Sequence, residues 1–202
     1  MLRLGLTGGI ASGKSAVAAM LREMGFAVLD ADSLAHRLIE PGQPTYNEVL
    51  QEFGQTVRAP DGRVDRGKLS AIVFADRSRL DRLNAIVHPR VAEVVFRQFE
   101  DWQRSGTRDA AFVEAALLIE SGIHKKLDGL VVAWCEPEQQ LQRLLARGLS
   151  EAEARRRITA QLPVEEKLLL ATEKIDCSGS LEQTHRQVKA LAAKLRRGAV
   201  RS

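Results

Sequence analysis

Aromatic side chains are scarce in this chain of 202 residues, in which six Phe, two Trp and one Tyr make up 4% of the sequence. They are scattered and form no stripe with basic residues, so the stacking platforms of a nucleic-acid-binding surface are missing. No apolar run approaches the length of about 20 residues that a membrane-spanning helix needs. We therefore expect neither nucleic acid nor a membrane among the partners of this chain.

Cysteine and histidine are also rare, with two Cys and four His in the whole sequence. Neither residue type shows the spacing of a metal-binding motif, so we expect no zinc site. Cys135 and Cys177 lie in or beside apolar segments, which indicates buried free thiols. Unpaired thiols are typical of a reducing compartment, and the sequence therefore predicts a cytoplasmic protein.

Charge of one sign is only slightly in excess, with 30 Lys and Arg against 26 Asp and Glu and a formal net charge of +4. A positive balance suits a polyanionic ligand. Part of the excess lies near the C-terminus, at Arg196, Arg197 and Arg201, where a solvated basic face explains it equally well.

The most informative segment is residues 8–15, Gly-Gly-Ile-Ala-Ser-Gly-Lys-Ser, which fits the phosphate-binding pattern G-x-x-x-x-G-K-[ST]. A strand-like apolar segment precedes it and a helical pattern follows, as this motif requires. Its glycines let backbone N–H groups surround an anion at a helix N-terminus. Lys14 would reach the β- and γ-phosphates and Ser15 would ligate Mg²⁺. The predicted ATP contacts in this segment are Gly8, Gly9, Ala11, Ser12, Gly13, Lys14, Ser15 and Ala16.

Strand-like and helical segments alternate along the chain, which predicts an α/β fold with a parallel sheet between two helical layers, the fold of P-loop NTPases. The predicted strands are 2–7, 25–30, 110–113, 129–134 and 174–177. Residues 41–107 have helical spacing and exceed a simple crossover, so we interpret them as a helical insertion for a second substrate. The nucleotide-binding core would then comprise residues 1–40, 108–138 and 168–202.

Residues 139–167 are predicted to form a lid over the triphosphate, because two arginine-rich helical segments flank Gly148. Arg143 and Arg147 are four residues apart and should share one helix face. Ser150 is a candidate N-cap of the second helix, with Glu153 at the capping-box position. The alternative is a solvated helix pair whose arginines bind neighbouring glutamates.

Asp30 and Asp32 end the second predicted strand, where alternation would place both carboxylates on one face of the sheet at its ligand-binding edge. Phosphoryl transfer to an alcohol needs a carboxylate near the hydroxyl and oxygens that hold the hydrated metal. Alternatively, Asp32 only caps the next helix.

Several segments in this order resemble one kinase family. They are GGIASGKS, VLDADSLAHRLIEPG, DGRVDRGKLSAIVFAD, LNAIVHPRV, LLIESGIHKKLD, QLQRLLARGLSEAEARRRITAQLP and IDCSGSLEQ. Together they are similar to dephospho-coenzyme A kinases from residue 1 to about residue 194. The resemblance implies a phosphotransferase that moves the γ-phosphate of ATP to the ribose 3′-hydroxyl of dephospho-coenzyme A, the last step of coenzyme A synthesis. ATP and dephospho-coenzyme A would be its partners and Mg²⁺ its cofactor.

The resemblance also implies roles for individual residues. Asp32 would orient the 3′-hydroxyl or act as its general base, and Asp30 would stand in the outer shell of Mg²⁺. Lys14 and Arg147 complete the predicted catalytic set, and Arg143 joins Arg147 in approaching the phosphates from the lid.

His88, Leu117, Leu118 and Glu120 would bind the acceptor. Each has a simpler explanation: His88 as a turn residue before a proline, the two leucines as core, Glu120 as a lone surface carboxylate. Two positions depart from the family pattern, namely Ala116, where Pro is usual, and Cys177, where Asn is frequent. These departures put the shape of one turn and the selectivity for the nucleotide base in question.

Two other functions remain open at this point. The first is another P-loop kinase that acts on a small molecule or a nucleoside monophosphate. The second is an ATP-binding regulator without phosphotransfer. A monomer is expected, and an oligomer is the open alternative, because the sequence does not reveal the oligomeric state.

Overall fold

The computed structural model describes residues 1–106 and 109–198, except for the side chain of Phe74. The predicted boundary at residues 107 and 108, and Arg201 of the basic C-terminal segment, lie outside the described residues. The strands are β1 (Leu2–Thr7), β2 (Ala27–Asp30), β3 (Ala110–Glu114), β4 (Gly129–Trp134) and β5 (Glu173–Asp176).

The five strands form one sheet in the order β2-β3-β1-β4-β5, and every neighbouring pair is parallel. Strands β3 and β4 are almost continuous apolar runs, as expected when helices cover both faces of a parallel sheet. The predicted parallel α/β sheet is confirmed. Because β3 lies beside β1, residues more than a hundred positions apart meet at one sheet edge.

The described residues divide into two compact units, the first formed by residues 1–30 with the chain from Phe99 onward and the second by Ala31–Gln98. The first unit holds the sheet, and its helices are α1 (Lys14–Glu23), α6 (Pro137–Leu145), α7 (Glu151–Thr159), α8 (Val164–Leu169) and α9 (Leu181–Arg196). Its main core joins apolar residues of α1 and α9 to the strands, among them Val17, Leu21, Val188, Leu191, Leu6 and Phe112. Among the described helices, none is both long and apolar enough to span a membrane.

The second unit is helical, as predicted for the insertion, and contains α2 (Ala31–Leu38), α3 (Pro44–Phe53), α4 (Arg66–Ala75) and most of α5 (Arg77–Arg104). Residues at helical spacing supply its core: Val49, Phe53, Leu69, Val73, Val87, Val91 and Val95. Asp65 caps α4, since its Oδ1 accepts a hydrogen bond from the backbone N–H of Lys68 at 3.0 Å.

Helix α5 corrects one interpretation of His88. The segments around Leu80–Val87 and Val91–Phe99 belong to a single helix of 28 residues that contains Pro89. His88 therefore lies inside a helix and is not a turn residue. The helix continues through Pro89 although proline lacks a backbone donor.

The position of Asp32 differs from the prediction. Strand β2 ends at Asp30 and α2 begins at Ala31, so Asp32 is the second residue of a helix. The expectation that strand alternation places Asp30 and Asp32 on one face is therefore wrong. Asp32 is also not an N-cap, because it lies within the first helical turn.

In the segment predicted as a lid, the structure differs from the prediction for Arg143 and Arg147. Helix α6 ends at Leu145, and Arg147 follows in the turn that leads to Gly148. Arg143 and Arg147 therefore do not share a helix face. The predicted cap of α7 is confirmed, since the Ser150 hydroxyl accepts a hydrogen bond from the backbone N–H of Glu153 at 3.3 Å.

Candidate active site

The loop between β1 and α1 has the compact turn that the glycine pattern predicts. The N–H of Ser12 donates to the Gly9 carbonyl at 3.1 Å, and the Gly13 carbonyl accepts from Ala16 and Val17 at 3.0 and 3.2 Å. Gly13 is the N-cap residue of α1 and has a φ of 105°, a conformation that is costly for any residue with a Cβ. The loop thus delivers Lys14 and Ser15 at the first turn of α1.

Close neighbours explain why the first two loop positions are glycines. A Cβ on Gly8 would lie 2.2 Å from the Ala133 carbonyl oxygen, and one on Gly9 would lie 2.2 Å from Nε2 of Gln140. Both separations are shorter than any normal contact. The backbone of β4 therefore requires glycine at position 8, whereas a side chain at position 9 would displace the Gln140 side chain of α6.

Ser12 supplies an independent indication that the loop binds a ligand. Its side chain is buried, and within the described part of the chain its hydroxyl has no hydrogen-bond partner. A buried hydroxyl without a partner is destabilising by about 1–3 kcal/mol. Phosphate oxygens held in this loop would supply the missing hydrogen-bond partner of Ser12, so the loop fits a nucleoside triphosphate.

Lys14 is held beside the loop by a buried carboxylate. Its Nζ lies 2.9 Å from Oε1 of Glu114, and Nη2 of Arg22 lies 3.4 Å from the other oxygen of that carboxylate. Glu114 is only 4% exposed. Two cations thus balance the buried charge of Glu114.

Sequence reasoning missed Glu114, although a signal was present. Ala110–Glu114 is an apolar strand that ends in a carboxylate, and the carboxyl end of a parallel strand borders the ligand-binding edge of the sheet. In the sheet, Glu114 is the register partner of both Leu6 on β1 and Asp30 on β2. Asp30 and Glu114 therefore end adjacent strands.

The oxygen groups at this edge suit Mg²⁺. Ser15, Asp30 and Glu114 offer one hydroxyl and two carboxylates, the hard donors that this ion prefers. Among the described residues, no group of three or more His, Cys, Asp or Glu could hold a metal ion. Mg²⁺ usually keeps several water molecules and binds nucleotide phosphates with few protein ligands.

Arg143 contacts the loop directly, as expected for a residue on the nucleotide side. Its Nη1 donates to the Ala11 carbonyl at 3.1 Å, and its Nη2 donates to the Cys177 carbonyl at 2.8 Å. Arg147 is exposed, and within the described ranges its guanidinium has no partner. The structure therefore brings only one of the two predicted arginines to the loop.

Two glutamines that the sequence did not single out also hold the loop. Gln140 donates from Nε2 to the Ile10 carbonyl at 3.0 Å, and Oε1 of Gln161 accepts from the Ile10 N–H at 2.7 Å. Ile10 and Ala11 also pack against the apolar residues that join α6 to α7. The segment predicted as a lid is thus bonded to the tip of the loop.

Two arginines of α7 match the alternative to a lid, in which the arginines of a solvated helix pair bind neighbouring glutamates. Arg155 and Arg157 form ion pairs with Glu151 and Glu153, one helical turn away, at 2.7 and 2.6 Å. All four side chains are largely exposed, so each pair contributes little to stability. Arg155 and Arg157 are therefore surface pairs in this structure.

Known proteins are closely similar over most of the chain. The family model for dephospho-CoA kinase matches residues 2–183. The chain belongs to the dephospho-CoA kinase family. The dephospho-CoA kinase of Symbiobacterium thermophilum is 49% identical over 188 residues, which cover 93% of this chain and 78% of that protein.

Solved structures agree with this membership. A crystal structure from Thermus thermophilus has a TM-score of 0.80 at 37% identity and covers 96% of this chain and 97% of its own. The dephospho-CoA kinase of Campylobacter jejuni has a TM-score of 0.73 at 25% identity, with 98% of each chain covered. A shikimate kinase from Acinetobacter baumannii in complex with shikimate, at a TM-score of 0.54 and 14% identity over 98% of this chain and 94% of that one, shares the fold. The predicted P-loop kinase fold and family resemblance are confirmed.

The segment after β3 departs from the dephospho-CoA kinase pattern at Ala116, and the structure shows how this turn is held. The Ala116 carbonyl accepts hydrogen bonds from the Thr7 hydroxyl at 3.3 Å and from Nζ of Lys167 at 3.0 Å. Lys167 is completely buried and also lies 3.0 Å from Oε1 of Glu120. No sequence motif pointed to Lys167.

The predicted acceptor residues in this segment have different environments. Leu118 is fully buried and packs beside Gly5 of β1, whereas Leu117 is half-buried. Glu120 pairs with Lys167 and accepts from the Leu162 N–H at 3.0 Å, so it is not a lone surface carboxylate. The core explanation therefore accounts for Leu118, and contact of this segment with an acceptor stays a prediction.

Cys177, the second departure from the dephospho-CoA kinase pattern, lies against the loop. A Cβ on Gly13 would come within 2.8 Å of the Cys177 Cβ. Burial raises the pKa of the Cys177 thiol to about 11 and also raises the pKa of Cys135. Both cysteines are free and buried, as predicted, and both stay protonated at neutral pH.

The second unit carries Asp32 and His88. Asp32 is exposed in the first turn of α2 and follows Asp30, at the end of β2, by two residues. His88 is partly buried in α5, and this burial lowers its pKa below 6.5. His88 is therefore neutral at pH 7 and would act toward a ligand as a hydrogen-bonding group without charge.

Proposed function

We propose that this chain transfers the γ-phosphate of ATP to the ribose 3′-hydroxyl of dephospho-CoA and so forms coenzyme A. The match to the dephospho-CoA kinase family over residues 2–183 carries the choice of acceptor. The geometry of the phosphate loop supports the choice of donor, since the buried Ser12 hydroxyl has no hydrogen-bond partner among the described residues and a phosphate oxygen would supply one. A nucleotide-binding regulator without phosphotransfer is not favoured.

We propose that the loop amides and Lys14 hold the β- and γ-phosphates. Lys14 is already oriented by Glu114, so little side-chain freedom is lost when the nucleotide binds. Arg143 would contact the phosphates from the side of α6. Arg147, which is exposed, would offset the charge of the transition state.

Mg²⁺ would be held by Ser15 and, through water, by Asp30 and Glu114. When bound, it neutralises negative charge on the transferring phosphates. Asp30 and Glu114 end neighbouring strands, which supports their action as one site. Glu114 thereby joins the residues that the sequence analysis assigned to the metal.

Asp32 would accept a hydrogen bond from the 3′-hydroxyl of the acceptor and orient it for attack. An ordinary carboxylate is a weak base, and the transition state of phosphoryl transfer is loose. Orientation of the hydroxyl is therefore expected to contribute more than removal of its proton. His88, Leu117, Leu118 and Glu120 would assist acceptor binding.

We propose that three parts of the chain have separate functions. Residues 1–40, 108–138 and 168–202 form the nucleotide-binding core, residues 41–107 form the helical insertion on the acceptor side and residues 139–167 form the lid. Hydrogen bonds from Gln140 and Gln161 to Ile10 support a direct link between that lid and the loop. The enzyme would act as a cytoplasmic monomer without nucleic acid or a membrane.

The decisive experiment measures ADP release from Mg-ATP with dephospho-CoA, AMP, shikimate or no acceptor, and determines the mass of the product. We expect release that depends on dephospho-CoA and a product heavier by one phosphate. Release with AMP or shikimate alone would instead identify another kinase of the same fold. Release that ignores every acceptor would refute phosphotransfer to a small alcohol.

A further inference from the structure

Arg22, near the end of α1, is a basic residue beside the phosphate loop that no sequence motif singled out. Its Nη2 lies 3.4 Å from Oε2 of Glu114, while Nζ of Lys14 lies 2.9 Å from the other oxygen, Oε1. Lys14 is the first residue of α1, and Arg22 follows about two helical turns later. Side chains of a helix tilt toward its N-terminus, so Arg22 reaches back along α1 toward Lys14. The carboxylate of Glu114 therefore joins both ends of α1.

The three side chains differ in their contact with solvent. The side chains of Glu114 and Lys14 are 5% and 12% exposed, whereas that of Arg22 is 43% exposed. A buried carboxylate requires an opposite charge nearby, because water cannot solvate it. Within the described part of the chain, Lys14 and Arg22 are the cations that pair with Glu114. Removal of Arg22 would leave this compensation to Lys14.

A second acidic residue lies at the same edge of the sheet. Glu114 is the register partner of Asp30, so the adjacent strands β3 and β2 both end in a carboxylate. Two carboxylates at this edge oppose the approach of an anionic triphosphate. Lys14 and Arg22 offset these two acidic groups, and without Arg22 two carboxylates would face one ammonium group.

The pairing of Arg22 with Glu114 affects how strongly Lys14 attracts an anion. An ammonium group has three donors and can bind a carboxylate and phosphate oxygens at the same time. A pair formed by Lys14 and Glu114 alone would be neutral and would attract phosphate weakly. Because Arg22 binds Oε2, the three groups together carry one positive charge. Lys14 can therefore bind phosphates while the charge of Glu114 stays balanced.

We infer that Arg22 is a positioning residue of the phosphate site, which binds Oε2 of Glu114 and thereby directs the charge of Lys14 to the nucleotide phosphates. The inference rests on the proposed function, in which Lys14 holds the β- and γ-phosphates. Arg22 acts through Glu114, without contact with ATP or the acceptor. Its Nη2 also donates to the Val28 carbonyl at 3.4 Å, which orients the guanidinium against β2.

Calorimetric titration with ATP in the presence of EDTA tests this role without a contribution from the metal. Arg22→Met removes the charge, whereas Arg22→Lys retains it on a chain of similar length. We expect Arg22→Met to raise the Kd for ATP about fivefold and Arg22→Lys to stay within about twofold of wild type. The control Arg186→Met should also stay within about twofold, since Arg186 is 63% exposed on α9 and pairs with Glu182 at 2.9 Å.

The Glu114→Gln background separates an effect of charge from an effect of packing. Glutamine has nearly the size of glutamate but no charge that Arg22 could balance. Arg22→Met should therefore change the Kd for ATP by less than about twofold in this background. A role of Arg22 in packing, or in its bond to Val28, would persist there. High salt should likewise reduce the difference between wild type and Arg22→Met, because the Arg22 side chain is partly exposed and its charge is screened.

Steady-state kinetics with Mg-ATP provide a second readout. In Arg22→Met the value of kcat/KM for ATP should fall about fivefold, because the phosphates are held less strongly. The KM for dephospho-CoA should stay within about twofold of wild type, since Arg22 acts on the nucleotide side.

Three results would overturn the inference. The first is an unchanged Kd for ATP in Arg22→Met, and the second is an equal increase of this Kd in the Glu114→Gln background. The third is a loss in Arg22→Lys as large as that in Arg22→Met. In each case wild-type turnover of dephospho-CoA would leave the proposed function intact, whereas absence of that turnover would refute the proposed function itself.

Discussion

Replacement of Lys167 by methionine should destabilise the first unit, since this side chain is completely buried and makes two polar contacts. Its Nζ lies 3.0 Å from the Ala116 carbonyl oxygen and 3.0 Å from Oε1 of Glu120. Methionine has a similar length and would retain most of the packing. The predicted loss therefore arises mainly from the two charged hydrogen bonds.

The magnitude follows from the environment of each partner. Removing one member of a buried ion pair destabilises by about 3–5 kcal/mol. The Glu120 side chain is 26% exposed and keeps its hydrogen bond from the Leu162 N–H, so water and that N–H compensate part of the loss of Lys167. The lower limit of the range, about 3 kcal/mol, is therefore expected. For a chain of this size it corresponds to a decrease in Tm of about 6–12 °C.

Thermal unfolding of wild type, Lys167→Met and the control Lys189→Met would measure this effect. Lys189 is exposed on α9, so its replacement should change the free energy of unfolding by less than about 0.5 kcal/mol. The double variant with Glu120→Gln should lose less than the sum of the single changes, because the two side chains interact directly. If Lys167→Met were as stable as the control, the buried pair would not hold this turn.

Three further predictions concern the loop, the acceptor hydroxyl and pH. Asp32→Asn should lower kcat by about 100-fold with the KM for ATP unchanged, and an undiminished kcat in a steady-state assay would exclude Asp32 from the mechanism. Gly13→Ala and its control Gly25→Ala should both lose about 1–2 kcal/mol in urea unfolding, because both residues have positive φ. Only Gly13→Ala should also lose ATP binding in a calorimetric titration, since a Cβ there meets Cys177 whereas one on Gly25 meets nothing within 4 Å; equal ATP affinity in the two variants would contradict this. Burial lowers the pKa of His88, so the unfolded chain binds its proton first as pH falls below 6.5. The free energy of unfolding should therefore decline more steeply below pH 6.5 in wild type than in His88→Gln, and identical slopes would refute the linkage.

Motifs whose residues are neighbours in sequence were predicted well. The phosphate loop, the five strands and the Ser150 cap each depend on spacing within a few residues, where backbone geometry relates sequence to structure. The predictions that failed are those in which the relative position of two side chains depended on the residue where a strand or helix ends. Asp32 falls in α2 because β2 ends two residues earlier, and Arg147 leaves the face of Arg143 because α6 ends at Leu145.

The residues that sequence reasoning missed bind partners far away in the chain. Lys14 and Glu114 are 100 positions apart, and Ile10 and Gln161 are 151 positions apart. No local pattern relates such pairs. They meet because β3 is inserted beside β1 in the sheet and because the segment after α7 returns to the loop.

The sequence by itself determined that this protein has a phosphate loop on a parallel α/β core and that it belongs among the kinases of dephospho-CoA. Those properties depend on residue types at short, ordered spacings. The tertiary structure alone decided that Glu114 holds Lys14, that Lys167 secures the turn after β3 and that Arg22 binds the second oxygen of Glu114. Each of these arrangements depends on the three-dimensional proximity of distant segments, and a charge acquires its role only from the groups that surround it.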